Sequence, residues 1–140
     1  MTSPCACTTV RKANRALFRY YEEAMEGSGL TITQFAIVRA LNRNGPTALT
    51  PLAQELVMER TSLYRTLRPL EDAGAVKITE AKQGRVKVAT LTQRGVKMMR
   101  AAEPKWEQAQ SFVVGAIGEK NWKALAASLL EIPEILETQA

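Results

Sequence analysis

Two arginines and two hydroxyl residues lie close together in a short segment that is also rich in leucine. The segment 60–73 carries Thr61, Ser62, Arg65 and Arg68. An arginine guanidinium can donate two hydrogen bonds to the O6 and N7 atoms of guanine, and hydroxyl groups can bind base edges or phosphates. The residue types therefore indicate a DNA-reading element. Arg65 is the first candidate for a guanine contact, and Arg68 is a candidate phosphate contact.

Leucines at helical spacing predict how these side chains are presented. Leu63, Leu67 and Leu70 lie at positions i, i+4 and i+7, so they form one narrow apolar stripe along a helix. At about 100° per residue, the polar side chains fall on the other side of that helix. The predicted outward residues are Thr61, Arg65, Arg68 and Asp72, and the predicted flanking residues are Ser62 and Tyr64. Taken alone, the segment also fits an amphipathic helix whose charges are merely solvated.

A short helix is predicted just before this segment. Thr50 is expected to be its N-cap and Pro51 to lie in its first turn. Val57 would then lie on its buried side, ahead of a turn at 58–59. Two short helices joined by a tight turn constitute a helix-turn-helix, in which the second helix enters the major groove of DNA.

The hydrophobic period changes from helical to two after Gly74. The segments 75–80 and 85–91 both alternate, and the polar stretch 81–84 joins them, which predicts a β-hairpin. The side chains expected to face inward are Val76, Ile78, Val86 and Val88, whereas Lys87 is expected to face outward.

Cations on this hairpin are candidates for further DNA contacts. A long cation near the tip of a hairpin can enter a minor groove, and Arg85 is the candidate for that role. Lys82 and Lys87 are candidates for phosphate contacts, and Lys77 lies on the same hairpin. An ordinary solvated hairpin would carry the same cations, so this alternative stays open.

Longer helices are predicted on both sides of this region. One is expected over about 8–26, and a second is expected to begin at Thr33 as N-cap. Thr92 is predicted to cap a long helix over about 93–116, and Gly118 to separate it from a last helix. Prolines at 104 and 133 are expected to bend these helices. The predicted buried seam of the long helix is Val96, Met99, Ala102, Trp106, Ala109 and Val113.

Charge and composition restrict the class of protein. The 140 residues carry a net charge of +5, which favours a polyanionic partner such as nucleic acid or an anionic membrane. No apolar run is long enough to span a membrane, and the beginning of the chain does not resemble a signal peptide, so a cytoplasmic protein is expected. A membrane-surface binder is disfavoured because the cations lie on a hairpin and a groove-facing helix. With no histidine, no glycine-rich phosphate loop and no metal-ligand cluster, neither an enzyme nor a cofactor is expected.

Cys5 and Cys7 are the two cysteines of the chain. A cytosolic pair at this spacing is expected to be free or redox-active rather than a structural bridge. A reactive thiol needs a lowered pKa, and Arg11, one helical turn from Cys7, could stabilise its thiolate. Cys5 is close enough to act as a resolving partner, although a bridge across one residue would be strained. Cys7 is more simply explained as a small buried hydrophobe near a dimer seam, and a ligand or metal contact is a further alternative.

Several stretches together resemble the multiple antibiotic resistance regulator (MarR) family of winged helix-turn-helix proteins. The matching stretches are 29–35 (GLTITQF), 49–56 (LTPLAQEL), 59–71 (ERTSLYRTLRPLE), 73–76 (AGAV), 85–91, Thr92 and Gly95. The resemblance implies a mainly α fold with a small β-hairpin wing and dimerisation helices at both ends of the chain. It thus divides a single domain, 1–140, into dimerisation helices over 1–32 and 93–140 and a winged helix-turn-helix over 33–92.

The same resemblance implies a function and its site residues. It implies a homodimer that binds a pseudo-palindromic double-stranded operator, usually as a repressor released by a small molecule or an oxidant. The positions matching DNA contacts of the family are Arg60, Thr61, Ser62, Arg65, Arg68 and the wing residue Arg85. This chain departs from the family at Gln83, where an acidic residue usually braces the wing arginine. It also departs at Tyr64, where a small hydroxyl residue is common; Tyr64 is itself a candidate DNA contact and is expected to alter the base preference. The alternative is a winged-helix module that binds proteins without binding specific DNA.

A resemblance also bears on the sensing residues. Cys7 lies near the position of the reactive cysteine in the organic-hydroperoxide-sensing branch of the family, and Tyr21 matches a tyrosine that hydrogen-bonds that thiol. Arg11 and Ile32 replace further tyrosines of that branch. Residues that could line an effector pocket, each more simply explained as core, are Arg15, Tyr20, Tyr21, Phe35, Trp106 and Phe112.

Overall fold

The computed structural model describes residues 3–81 and 84–139, which form six helices and three strands. In chain order these are α1 Ala6–Ala24, α2 Ile32–Asn44, β1 Thr47–Ala48, α3 Leu49–Glu55, α4 Arg60–Asp72, β2 Val76–Glu80, β3 Lys87–Leu91, α5 Gln93–Ile117 and α6 Glu119–Glu137. The mainly helical fold with a small antiparallel sheet is the predicted one. The chain divides into two compact units, Met1–Trp106 and Glu107–Ala140, and the division falls inside α5. The finer division at 32 and 92 remains a prediction.

The core of the first unit is built from apolar side chains of α2, α3, α4, the hairpin and the first part of α5. The leucine stripe of α4 is at its centre, since Leu63, Leu67 and Leu70 are each at most 1% exposed. The predicted stripe is therefore confirmed, and its burial leaves the opposite side of α4 free. Val57, predicted on the buried side of α3, is instead 91% exposed, because α3 ends at Glu55.

Two predicted helix caps are wrong, and local hydrogen bonding explains one of them. Helix α2 is capped by Thr31 rather than Thr33, because Gln34 lies three residues after Thr31 and closes a capping box with it. The Thr31 hydroxyl accepts from the backbone N–H of Gln34 at 3.1 Å, and the Thr31 N–H donates to Gln34 Oε1 at 3.0 Å. Helix α3 has Ala48 at its N-cap, so Thr50 lies inside its first turn.

The sheet has the strand order β1-β3-β2 and is antiparallel throughout. The two-residue strand β1 was not predicted, because its length leaves no detectable alternation. The register pairs Ile78 with Ala89 and Glu80 with Lys87. Directly paired residues share one face of an antiparallel ladder, so the core-facing residue of β3 is Ala89, which is fully buried. The prediction that Val86 and Val88 face inward is therefore wrong, and Val86 is 49% exposed.

Thr92 joins three elements at the base of the hairpin. Its hydroxyl accepts from the backbone N–H of Gly95 at 3.0 Å, which confirms the predicted cap of α5. The same hydroxyl lies 2.6 Å from the carbonyl oxygen of Gly74 and 3.0 Å from that of Ala75. One side chain therefore fixes the end of α4, the start of β2 and the start of α5.

Three residues of the predicted seam of α5 are buried, and the other three, Val96, Trp106 and Val113, are half-buried. In the first unit Met99 is 7% exposed and Ala102 is fully buried, and in the second unit Ala109 is 2% exposed. Prolines 104 and 133 lie inside α5 and α6, as does Pro69 inside α4, which sequence analysis did not single out. Whether Pro104 and Pro133 bend their helices remains a prediction.

Candidate nucleic-acid interface

The polar side of α4 faces solvent as the helical wheel predicts. Thr61, Arg65 and Arg68 are exposed, whereas Ser62 and Tyr64 are half-buried at the flanks. Glu59, at the N-cap of α4, makes no side-chain cap hydrogen bond, so its carboxylate does not cap the backbone N–H groups of the first turn. The burial of three leucines on the opposite side is what holds these polar groups outward.

The hairpin places its cations differently from one another. Arg85 is exposed next to the tip, as expected for a side chain that reaches outward. Lys82 and Gln83 lie outside the described residues. Lys87 is half-buried rather than outward, because it pairs with Glu80 and so shares the strand face of Ile78. The predicted orientation of Lys87 is therefore wrong.

Lys87 and Arg60 both approach the ring of Tyr64. The Lys87 Nζ lies 5.3 Å from the ring centroid, and the Arg60 Cζ lies 5.9 Å from it. A cation within about 6 Å of an aromatic ring centroid is attracted by the negative face of the ring. The local sequence carries no signal for the Lys87 contact, because that contact depends on the register of β3 against β2.

An open groove of about 760 Å³ runs between α4 and the hairpin. Basic and hydroxyl side chains from α4 and Lys87 line one part of it, and Ile78 contributes an apolar patch. The lining also includes the acidic side chains Glu71, Asp72 and Glu80, together with Pro69 and Thr79. The groove thus joins the exposed polar side of α4 to the hairpin, and both cations and carboxylates line it.

The two cysteines are exposed and neither forms a disulfide. Cys5 is the N-cap residue of α1, so its thiol lies at the helix end where the first-turn N–H groups lack helical partners. The backbone N–H of Thr8, then the Thr8 hydroxyl, lower the pKa of Cys5 below its ordinary value, because both stabilise the thiolate. The interpretation of Cys7 as a buried hydrophobe is not met within a single chain.

Tyr21 cannot reach the thiol of Cys7 in the same chain. The two residues lie fourteen positions apart on α1, which corresponds to about 21 Å along a helix. A hydrogen bond between them therefore requires a second copy of the chain. Tyr21 is half-buried, and this burial raises the pKa of its hydroxyl. Arg11 and Arg15, the other candidate sensing residues, are exposed on the same helix.

Two of the candidate pocket residues belong to the core of the first unit. Phe35 is 1% exposed, and its ring stacks on that of Trp106 with centroids 5.8 Å apart. The guanidinium of Arg39 lies 4.2 Å from the Trp106 ring centroid, a contact that sequence analysis missed although Arg39 follows Phe35 by one helical turn. Tyr20 packs edge-on against Tyr21, and Phe112 in the second unit is 61% exposed.

A second open pocket of about 590 Å³ lies between the end of α1 and the start of α2. Phe18, Arg19 and Leu30 are among its lining residues, and none of them was a predicted pocket residue.

Among residues 3–81 and 84–139, no cluster of histidine, cysteine or carboxylate side chains could hold a metal ion. In the same ranges, no helix is both long and apolar enough to cross a membrane.

Comparison with known proteins agrees with this geometry. Residues 33–79 match the family model described as a helix-turn-helix domain. The HTH-type transcriptional repressor Rv2887 of Mycobacterium tuberculosis is 35% identical over 81 residues, which cover 57% of this chain and 58% of the repressor. The chain thus aligns with less than two thirds of the curated relatives that it matches.

Solved structures extend the similarity over nearly the whole chain. The M. tuberculosis transcriptional regulator MosR, solved with DNA, is 30% identical with a TM-score of 0.84, and the match covers 96% of this chain and 98% of MosR. AbsC, a MarR family transcriptional regulator from Streptomyces coelicolor, has the same fold at a TM-score of 0.81, with 23% identity over 96% of this chain and 93% of AbsC.

A buried leucine stripe, an outward polar helix face and an adjoining antiparallel hairpin define a winged helix-turn-helix protein. The similarity to MosR and AbsC identifies the family within this class. This chain belongs to the MarR family of transcription regulators.

Proposed function

We propose that this protein is a sequence-specific double-stranded DNA-binding repressor. The observation that carries the proposal is the exposed row of Thr61, Arg65 and Arg68 on α4, opposite a fully buried leucine stripe. A helix of this kind can enter the major groove with its polar side towards the bases. The DNA complex of MosR, a protein 30% identical over nearly the full chain, supports the same use of the fold here.

The proposed contacts divide into base and backbone contacts. Arg65 binds guanine through its two guanidinium N–H groups, and Thr61 and Ser62 bind base edges or phosphates. Arg60 and Arg68 lie beside the DNA backbone, where cations bind phosphate, and Tyr64 alters the base preference of the helix. The wing contributes Arg85 to the minor groove, and Lys82 and Lys87 to phosphates.

A homodimer is proposed because two helices expose apolar side chains that a single chain leaves uncovered. No residue of α1 or α6 is buried, yet Phe18 on α1 is 51% exposed, and Leu130 and Leu136 on α6 are 77% and 63% exposed. Covering such side chains stabilises an assembly by about 25 cal/mol per Å² of apolar surface. A twofold dimer would read two half-sites, so its operator would be pseudo-palindromic.

Release of the operator is proposed to follow binding of a small effector or oxidation of the cysteine pair. Cys5 and Cys7 are solvent-accessible, and the lowered pKa of Cys5 makes its thiolate available for attack on a peroxide. Attack would give a sulfenic acid and release water or an alcohol. The Cys7 thiol, from the same or another chain, would then attack this sulfenic acid, form a disulfide with Cys5 and release water.

The experiment is the selection of bound duplexes from a random pool, with and without hydrogen peroxide. Enrichment of an inverted repeat is expected, with binding that falls steeply as salt rises. Arg65→Ala should lose binding while the dimer stays intact, and Lys97→Ala, which removes an exposed cation from α5, should bind like the wild type. A protein-interaction module would instead enrich no duplex.

The oxidant arm tests the cysteines separately. Peroxide is expected to release the wild type, but neither Cys5→Ser, which lacks the attacking thiol, nor Cys7→Ser, which lacks the second thiol. Equal release of the wild type and both variants would exclude the cysteine pair as the sensor and leave the DNA-binding proposal unaffected.

A further inference from the structure

Tyr64 lies where α4 and the hairpin meet. It is half-buried, packs against the core cluster of the first unit, and lines the groove between the two elements. Its position one helical turn after Arg60 places both side chains on the same flank of α4. A large ring at this position therefore spans the gap between a helix and a strand.

Two cations from different elements lie over this ring. Arg60 belongs to the first turn of α4, with its Cζ 5.9 Å from the Tyr64 centroid. Lys87 is the first residue of β3, with its Nζ 5.3 Å from the same centroid. Like charges normally repel one another, and here both are held by the electron-rich ring that they share.

The strand register explains why Lys87 is available for this contact. Lys87 pairs with Glu80 and lies on the strand face that also carries Ile78, which borders the groove towards α4. Lys77, in contrast, pairs with Thr90, lies on the opposite face and is exposed. Lys77 is therefore a matched control, since it has the same charge on the same hairpin but does not face α4.

We propose that Tyr64 is a positioning residue that holds the wing cation Lys87 and the helix cation Arg60 together, so that the wing and the recognition helix bind DNA as one unit. This inference rests on the proposed DNA-binding function. Without the ring, Lys87 would sample many rotamers, and ordering it on a phosphate would cost conformational entropy. The wing would then add less to the affinity.

A double-mutant cycle tests the coupling, with the duplex enriched by selection as the probe. Lys87→Met is expected to weaken binding about fivefold in the wild-type background but less than about twofold in Tyr64→Leu. Tyr64→Phe keeps the ring and should preserve the larger effect, and Lys77→Met should cost the same in both backgrounds. An equal cost of Lys87→Met in the two backgrounds overturns the proposal. The proposal is also overturned if the effect of Lys87→Met on binding shrinks as much in Tyr64→Phe as in Tyr64→Leu. The hydroxyl, and not the ring, would then hold Lys87.

A measurement without DNA separates this inference from the proposed function. In the free wild-type protein, the ring current of Tyr64 should shift the ε-methylene protons of Lys87 upfield in the NMR spectrum, while those of Lys77 keep ordinary shifts. Ordinary shifts for Lys87 overturn the contact even if Tyr64→Leu does not fold. If no duplex is enriched and Lys87 is shifted, the contact exists and the DNA-binding proposal is the one that fails.

Discussion

The Cα of Gly95, at the start of α5, lies directly against the backbone carbonyl of Ala75 at the start of the hairpin. A Cβ atom added at Gly95 would overlap the Ala75 carbonyl oxygen and lie 2.5 Å from the Leu91 Cδ1. The neighbouring atoms belong mostly to backbone that the Thr92 hydrogen bonds hold in place. Glycine is required here by space and not by backbone conformation.

Gly95→Ala is therefore expected to lower the free energy of unfolding by about 2 kcal/mol or more, because the base of the hairpin must move away from α5. Urea unfolding followed by circular dichroism measures this change. Gly115→Ala is the matched control in the same helix, since nothing lies within 4 Å of its added Cβ. Alanine there should be neutral or stabilising by up to about 1 kcal/mol, and similar losses for both variants would contradict the packing argument.

Val57, in the turn between α3 and α4, has a φ of 53° and is 91% exposed. A β-branched residue in the left-handed region costs about 1–2 kcal/mol, and so little of this side chain is buried that its removal sacrifices almost no packing. Glycine loses more backbone entropy on folding than valine, which offsets part of the relieved strain. Val57→Gly should therefore raise the free energy of unfolding by about 0.5–1 kcal/mol. Thermal unfolding measures the gain. Val86→Gly, at an exposed valine without a positive φ, should give no gain.

The two threonines near the start of α2 differ in role although they lie two residues apart. Thr31→Ala should cost about 1 kcal/mol of stability, because it removes the hydroxyl that accepts from the Gln34 N–H. Thr33→Ala should cost little, since Thr33 lies inside the helix and alanine favours helix. If chemical unfolding showed the larger loss for Thr33→Ala, the assignment of the cap to Thr31 would be wrong.

Cys5 should react at lower pH than an ordinary thiol. The Thr8 N–H and hydroxyl depress its pKa in the folded chain, so the thiolate forms at a lower pH and alkylation by iodoacetamide rises there. The rate measured against pH in Cys7→Ser should have a midpoint below that of the same protein unfolded in urea. Thr8→Val should move the midpoint up part of the way, because it removes the hydroxyl but keeps the backbone N–H. Coincident midpoints for the folded and unfolded chains would refute the shift.

Short-range pattern was sufficient to predict the elements that present the site. Leu63, Leu67 and Leu70 repeat at the helical period, so the outward face of α4 followed from the sequence. Thr92 was recognisable as a cap for the same reason, because its hydrogen bond closes within three residues.

The buried face of β3 is decided by long-range strand pairing and not by the local hydrophobic pattern. Alternation in 85–91 is satisfied equally by a strand that buries Val86 and Val88 or by one that buries Ala89, and only the pairing of β3 with β2 and β1 selects Ala89. The contact of Lys87 with Tyr64 follows from that register, so it was equally beyond the reach of local sequence. The separation of Tyr21 from Cys7 was available from helix length, but only once both were known to lie on one unbroken helix.

The hydrogen bond between the Thr92 hydroxyl and Gly74, eighteen residues apart, makes the wing a closed loop fastened at its base. The entropy of closing this loop is lost once, when the junction forms. Strands β2 and β3 then pair from ends that are already close together. Fluctuations can therefore open the tip without opening the base. In hydrogen exchange, the amides of Thr92 and Gly95 should exchange only with unfolding of the whole first unit, while amides towards the tip exchange by local opening.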